Sequence, residues 1–139
     1  MARKNRELMH ELGIVFHIIR SVEGVGQANQ VRRISAVALE LGEVSGVVEE
    51  YLQDCWKWAV GRSEMLNGAK LKVHTIPART VCEACGKVYP TVHYGKQCPA
   101  CGSGETHLVQ GNEMMIQEIE ILQENEERAE NDTPASGES

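Results

Sequence analysis

The stretch from Val81 to Leu108 reads VCEACGKVYPTVHYGKQCPACGSGETHL and holds four of the five cysteines of the chain. Cys82 and Cys85 form one Cys-x-x-Cys pair, Cys98 and Cys101 form another, and 12 residues separate the two pairs. Zinc prefers a tetrahedron of thiolate ligands, and a Cys-x-x-Cys turn supplies two of them. The spacing therefore predicts one zinc ion held by all four side chains.

A glycine follows the second cysteine of each pair, at Gly86 and Gly102. Glycine adopts positive φ without a steric penalty, so both positions let the backbone bend around an ion. A site with four thiolates has no open coordination position, which indicates a structural zinc. A segment of under about 40 residues has too little core to keep its own shape, and the ion supplies that order.

Two alternatives stay open for these cysteines. Iron also occupies four-thiolate sites, and it would give a red protein with visible charge-transfer bands. Redox-active dithiols or disulfides are the other alternative, although two such pairs are more typical of metal thiolates in a reducing compartment. The fifth cysteine, Cys55, falls on an apolar helical stripe and is predicted to be a buried core thiol.

Two segments carry apolar residues at helical spacing. The first is predicted to form a helix that begins just after His10 and Glu11 and ends at Gly24 and Gly26. The second is predicted to begin at Ser45, a favourable N-cap residue. The two stripes are Leu12, Val15, Phe16, Ile19 and Val22, then Val48, Tyr51, Leu52, Cys55, Trp56 and Ala59.

Three segments have the apolar alternation of strands. They cover 31–41, 70–74 after the Asn67-Gly68 turn, and 114–122. The order is helix, strand, helix, strand, cysteine segment, strand. It predicts an α/β fold, a two-layer sandwich of a three-stranded sheet and two helices, with a zinc-ribbon lobe inserted between the last two strands.

This order divides the chain into four parts. An N-terminal extension, 1–8, need not be ordered. An α/β domain comprises 9–80 and 109–122, and the zinc-binding lobe comprises 81–108. The remainder, 123–139, carries six acidic residues and one arginine in a chain of net charge −6, and it is predicted to be a disordered acidic tail.

Composition argues against several classes of protein. No basic field covers the body of the chain, so nucleic acid is not expected as a partner. No apolar run approaches the roughly 20 residues of a membrane span, and no apolar segment follows the basic N-terminus as in a secretory signal. A cytoplasmic protein is expected. The chain has no P-loop and no Ser-His-Asp or Cys-His set, so we do not expect an enzyme.

Several motifs occur in the order and spacing of one known family. They are MHELGI at 9–14, LGEVSGV at 41–47, EMLNGAKL at 64–71, the two cysteine pairs, and QGNEM at 110–114. With them the sequence resembles the HypA family, the nickel metallochaperones of nickel–iron hydrogenase maturation. The fold that this resemblance implies, a nickel-binding α/β domain plus a zinc lobe, agrees with the predicted element order.

The resemblance implies that His10 is the key Ni(II) ligand and that Glu11 shapes the site beside it. Spacing alone favours a simpler interpretation, a solvated histidine and a glutamate at a helix N-terminus. Ni(II) favours square-planar nitrogen sets, which imidazole and deprotonated backbone amides supply. By the same resemblance, nickel is a transient cargo for the hydrogenase large subunit. The implied partners are the maturation GTPase HypB and, in parts of the family, urease maturation proteins, and the protein would be a monomer or homodimer.

Eight residues precede Met9, whereas members of the family usually begin at the methionine of this motif. Their terminal amine can then join the nickel ligands. Three interpretations stay open: the extension is native and the amine is too distant, or 1–8 is a translation-start artefact or an added segment, or the site is rebuilt. A rebuilt site would use the amides of Met9 and His10, the His10 imidazole and a fourth donor.

A second function remains in view. In it, the protein is a zinc-ribbon module for protein interaction or nucleic-acid binding, and the ion only scaffolds a surface. A nickel titration separates the two hypotheses, because stoichiometric binding that is lost with His10 supports a carrier.

Overall fold

The structure is a computed structural model that describes the backbone of residues 2–122 and the side chains of residues 10–122. The predicted acidic tail, 123–139, lies outside the described residues. The first helix, α1, spans Ala2–Ala28. The prediction that this helix begins after Glu11 is wrong, because residues 2–9 are themselves helical. They read ARKNRELM, which is rich in residues of high helix propensity.

The predicted end of α1 at Gly24 and Gly26 is also wrong. Gly26 is buried, and a Cβ atom there would overlap the sulfur of Met65, so packing favours glycine inside the helix. The helix ends at Ala28, and its end is capped by Gln30 at φ 59° and by a hydrogen bond of 2.8 Å from the Val31 N–H to the Gly26 carbonyl. Helices commonly end in this way, with one residue in the left-handed conformation. The N–H of the following residue then donates a hydrogen bond to the carbonyl five residues earlier.

The second helix, α2, spans Glu49–Val60 and not a longer segment from Ser45. The Ser45 hydroxyl instead accepts a hydrogen bond of 3.3 Å from the Val47 N–H, which forms a local turn ahead of the helix. The indole of Trp56 donates to the Ala69 carbonyl at 2.8 Å, so this side chain both fills the core and satisfies its polar atom. Four members of the predicted stripe, Leu52, Cys55, Trp56 and Ala59, are buried. Tyr51 is half-buried, and Val48 is exposed because it lies ahead of the helix.

The first sheet has three strands: β1 (Ile34–Gly42), β2 (Lys70–Ile76) and β6 (Met114–Ile121). Their order is β2-β1-β6, so β1 is central. A central strand can be covered on both faces of its sheet. Most side chains of β1 are buried, on one face as on the other. Three strands together with two long helices confirm the predicted α/β fold class.

A second sheet lies within the cysteine segment. Its strands are β3 (Arg79–Cys82), β4 (Val88–Pro90) and β5 (Thr106–Gln110), in the antiparallel order β4-β3-β5. A single turn of helix, α3 (Thr91–Tyr94), follows β4. The sequence did not predict these strands, because runs of three to five residues carry little periodicity.

The connections into and out of the second sheet are tied to the turn after β1. The Gly42 N–H donates to the Glu113 carbonyl at 2.8 Å, and the Glu43 N–H donates to the Ile76 carbonyl at 2.9 Å. The Glu43 carboxylate accepts a hydrogen bond of 2.8 Å from the Ala78 N–H. Glu43 is therefore a structural turn carboxylate that fixes the connection between β2 and β3.

Packing divides the described residues into two compact units. The first comprises 2–37, 50–71 and 118–122, and includes both long helices. The second comprises 38–49 and 72–117, and includes the second sheet. Within residues 2–122, no helix is long and apolar enough to cross a membrane.

Candidate metal centres

The four predicted zinc ligands converge in space. Their sulfur atoms lie within 4.8 Å of one another, with 3.5 Å between Cys82 and Cys101 and 3.6 Å between Cys85 and Cys98. A regular tetrahedron with Zn–S bonds of about 2.3 Å has sulfur–sulfur separations of about 3.8 Å. The cluster therefore has the dimensions of a four-thiolate zinc site.

Each cysteine pair sits in the same kind of backbone turn. Gly86 and Gly102 have φ values of 80° and 78°, as the sequence predicts for the residue after each pair. Their N–H groups donate to the carbonyls of Cys82 (2.7 Å) and Cys98 (2.9 Å). Two matching turns that face each other place both sulfurs of each pair toward one point, so the backbone is arranged for the ion.

The pKa values of two of these thiols are shifted in opposite directions. Burial alone would raise the pKa of Cys98, but backbone N–H donors, first that of Cys101, and the neighbouring thiols lower it to about 6. The Ser103 N–H alone would lower the pKa of Cys101, but the Cys82 thiol, burial and the other thiols raise it to about 12. One ligand is thus a thiolate near neutral pH, while another loses its proton when a metal binds.

The lobe around this cluster has a very small core. Its buried cluster consists of Tyr89 and two of the ligands, Cys82 and Cys98. The Tyr89 hydroxyl donates to the Gly95 carbonyl at 3.0 Å, and its ring packs edge-on against Tyr94 with centroids 5.9 Å apart. One buried aromatic ring cannot stabilise three short strands, so the ion is needed to hold them.

Among the described residues, the four cysteines are the one group of three or more His, Cys, Asp or Glu side chains that can share an ion. All four ligands are thiolates, so the cluster fits a structural zinc with no position for a substrate. The other sequence-predicted residues lie in the first unit.

His10 and Glu11 lie side by side on α1 but differ sharply in exposure. His10 is 58% exposed, whereas Glu11 is 1% exposed, and 3.8 Å separates His10 Nδ1 from Glu11 Oε1. The sequence predicted neither the burial of this carboxylate nor its place inside a helix. The sequence contained one indication of this burial. Glu11 precedes the buried Val15 and Ile18 by four and seven residues, which places all three on one face of the helix.

The Glu11 carboxylate also acts on a residue of α2. Burial raises the pKa of the Cys55 thiol, and the negative charges of Glu11 and then Asp54 raise it further. Cys55 is buried, as predicted. The thiol is therefore protonated at neutral pH, and it senses the charge of the same carboxylate that lies beside His10.

The remaining histidines of the cysteine segment and its approach are on the surface. His107 Nδ1 lies 3.0 Å from Glu83 Oε1, and both side chains are more than half exposed. His74 and His93 are exposed as well. An exposed ion pair of this kind contributes little to stability, and all three residues are surface histidines.

Comparison with known proteins gives the family. Residues 9–121 match the sequence model described as "Hydrogenase/urease nickel incorporation, metallochaperone, hypA". The hydrogenase maturation factor HypA of Geobacter metallireducens is 36% identical over 113 residues, which cover 81% of this chain and 99% of the relative. HypA of Dehalococcoides mccartyi strain 195 is 31% identical over 118 residues, 85% of this chain and 98% of the relative.

Solved structures agree with these relatives. The solution structure of the nickel metallochaperone HypA from Helicobacter pylori has a TM-score of 0.62 and 25% identity, over 82% of this chain and 98% of its own. A second solution structure of a HypA protein has a TM-score of 0.63 and 27% identity, over 82% and 97%. With the family's motifs, the four-cysteine cluster and the fold all present, this chain belongs to the HypA family of nickel metallochaperones in hydrogenase maturation.

Proposed function

We propose that this protein binds one Ni(II) ion at His10, with Glu11 shaping the site, and delivers the ion to the large subunit of a nickel–iron hydrogenase. Cys82, Cys85, Cys98 and Cys101 would hold a zinc ion that has only a structural role. The observation that carries the nickel assignment is the contrast in exposure between His10 and Glu11. An imidazole in solvent can take up and release an ion, whereas a buried carboxylate can only orient it.

The chemistry of the two side chains suits this division of roles. Imidazole nitrogen is a good ligand for Ni(II). Metal-bound histidines usually have their second ring nitrogen held by a carboxylate or carbonyl, which fixes the ring and raises its basicity. Since Nδ1 of His10 faces Glu11 at 3.8 Å, a small rotation of the ring would complete that hydrogen bond and leave Nε2 for the ion.

The helix places a condition on any further ligands. Met9 and His10 lie within α1, so their amide nitrogens take part in helical hydrogen bonds. Deprotonated amides can join the nickel site only if the first turns of α1 unwind. Where a terminal amine stands at Met9 instead, the His10 amide has no carbonyl four residues earlier to bond, so the amine and this amide can join the ligands without that cost.

The proposed partners follow from the family. HypB, the maturation GTPase, would time the transfer, and urease maturation proteins are a second set of recipients because the family description names both enzymes. The protein itself would carry the ion without catalysing a reaction. We place this activity in the cytoplasm, because four thiolates persist as metal ligands in a reducing compartment.

Calorimetric nickel titration of the zinc-loaded protein tests the proposal. We expect one Ni(II) per chain for the wild type and loss of this binding for His10→Ala. His17→Ala is the matched control, because His17 is an exposed histidine of the same helix. Full nickel affinity in the His10 variant, with unchanged helix content by circular dichroism, would remove the basis of the proposal.

A second titration concerns the residues ahead of Met9. A variant that begins at Met9 should bind nickel more tightly than the full chain, because its terminal amine and the first amides become ligands without unwinding a helix. If both proteins bind equally, the amides of the full chain are already accessible. No nickel binding by either would favour a zinc-ribbon interaction module.

A further inference from the structure

An open groove lies between α1 and α2 in the first unit, on a part of the surface that the metal sites do not use. Its volume is about 420 Å³. Ile19 and Ala59, both buried, form its floor. We call it the arginine groove and define it by Phe16, Ile19, Arg20, Glu23, Ala59 and Arg62.

Two aromatic side chains stand at its edge. Trp58 is 51% exposed and Phe16 is 37% exposed, although the sequence placed Phe16 on the buried stripe of its helix. Their rings meet edge-on, with centroids 6.1 Å apart and planes at 71°. The aromatic pair is thus already ordered, and an incoming group would lose little extra side-chain freedom on binding to it.

The same edge carries positive charge. The Arg62 guanidinium carbon lies over the Trp58 ring, 4.2 Å from its centre, and this cation–π contact holds the charge beside the aromatic pair. Arg20 is an exposed lining residue from α1. The acidic member, Glu23, accepts a hydrogen bond of 2.6 Å from the Ser63 hydroxyl, which itself accepts from the Leu66 N–H at 3.1 Å. Glu23 is thus engaged in the turn after α2.

We propose that the arginine groove docks a segment of a partner protein that carries a large apolar side chain flanked by carboxylates. The apolar side chain would lie on Ile19 and Ala59 against the aromatic pair, and the carboxylates would pair with Arg20 and Arg62. Tryptophan and arginine are the residues most enriched at the energetic centres of protein interfaces. An arginine held on an aromatic face is preorganised to bind a carboxylate through two N–H groups.

Other occupants fit this surface less well. The acidic segment 123–139 of this chain has carboxylates, but its apolar residues are two alanines and one proline, so it has no large apolar side chain to fill the groove. A second copy related by a two-fold axis would bring the same arginines together. Nucleic acid is disfavoured by a chain with a net charge of −6. The proposal does not depend on nickel binding at His10.

The test uses the full zinc-loaded chain and a fluorescein-labelled peptide of sequence SDELFEDLS. Two comparison peptides, SKKLFKKLS and SDESSEDSS, invert the charge and remove the apolar side chains. We expect saturable binding of the first by fluorescence anisotropy and at least about tenfold weaker binding of the other two, the loss typical of a hot-spot contact. In NMR spectra, the exposed Trp58 indole signal should move, and the buried Trp56 indole signal, bonded to the Ala69 carbonyl, should not.

Variants assign the binding to the groove. Trp58→Ala and Arg62→Glu should each weaken binding by about tenfold, and Arg62→Glu should gain affinity for the lysine peptide. Val25→Ala, at an exposed position of α1, and Arg79→Glu should bind as the wild type does. Arg62→Gln serves as a second variant if the charge reversal affects folding. Equal binding of the three peptides, shifts away from the groove, or a groove-dependent homodimer in sedimentation would overturn the proposal.

Discussion

The backbones of Gly42 and Gly111 are in direct contact, because a Cβ atom at Gly42 would overlap the carbonyl group of Gly111. A side chain at position 42 must push the turn after β1 away from the connection between β5 and β6. Gly42→Ala is therefore expected to lower the free energy of unfolding by about 1–3 kcal/mol, as overpacking does. Chemical denaturation of the zinc-loaded protein measures this change.

Gly104→Ala is the control for that experiment. No atom lies within 4 Å of the Cβ that this substitution adds. Its effect on the free energy of unfolding should stay within about 0.5 kcal/mol. Similar losses at both positions would mean that backbone freedom, and not contact, determines the cost at Gly42.

The zinc ligands can be tested with a residue whose packing is unimportant. Cys85 is exposed, so Cys85→Ser removes a ligand without opening a cavity. We expect loss of bound zinc and faster hydrogen exchange at the Gly86 N–H, which is bonded to the Cys82 carbonyl. Elemental analysis and NMR exchange measure the two effects. Cys55→Ser, at a buried thiol outside the cluster, should keep its zinc.

Zinc binding should release a number of protons that depends on pH. At pH 7.5 the Cys98 thiol, with a pKa of about 6, is already ionised, whereas Cys101, with a pKa of about 12, still holds its proton. Below pH 6 both are protonated, so binding releases one more proton there and its affinity falls more steeply with acid. A pH-indicator dye in weak buffer reports the release at pH 5.5 and 7.5. A constant number would contradict the lowered pKa of Cys98.

The Cys55 thiol should be slow to react with alkylating reagents. Burial, Glu11 and Asp54 all raise its pKa above the usual 9.0, and only the thiolate reacts. A raised pKa of this acid also means that its contribution to stability is present below pH 9 and is lost as pH rises further. Glu11→Gln should speed iodoacetamide labelling of Cys55 in zinc-loaded protein more than Asp54→Asn does, as followed by mass spectrometry.

A structural feature could be predicted from the sequence when the residues that determine it lie close together along the chain. The turns after Cys85 and Cys101 were predictable, since glycine and two ligands at fixed spacing specify them within six residues. The element order was also predictable from apolar periodicity. The strands of the second sheet were not, because β3 pairs with β5 across about 30 residues and the connection at Ala78 is fixed by Glu43, which is also far away in the sequence.

The start and the exposed side of α1 were harder to predict, for a related reason. Glu11 reads as a surface residue until the helix is known to extend through it, and only then does its position on the face of Val15 become visible. Phe16 fits the apolar stripe by spacing, yet it lies at the stripe's edge beside Trp58 from another helix. Periodicity gives the direction of a side chain, whereas its burial depends on what the other element covers.

Because Arg79 pairs with Gln110, the cysteine segment can be removed or replaced as one piece. Adjacent strands lie about 4.8 Å apart, so the chain leaves this segment beside the point where it entered. Such an arrangement lets a gene gain, lose or exchange the whole segment in a single recombination event. One short turn would then join the residues on either side of the segment. The zinc lobe can then change without altering α1, the helix on which His10 and Glu11 lie.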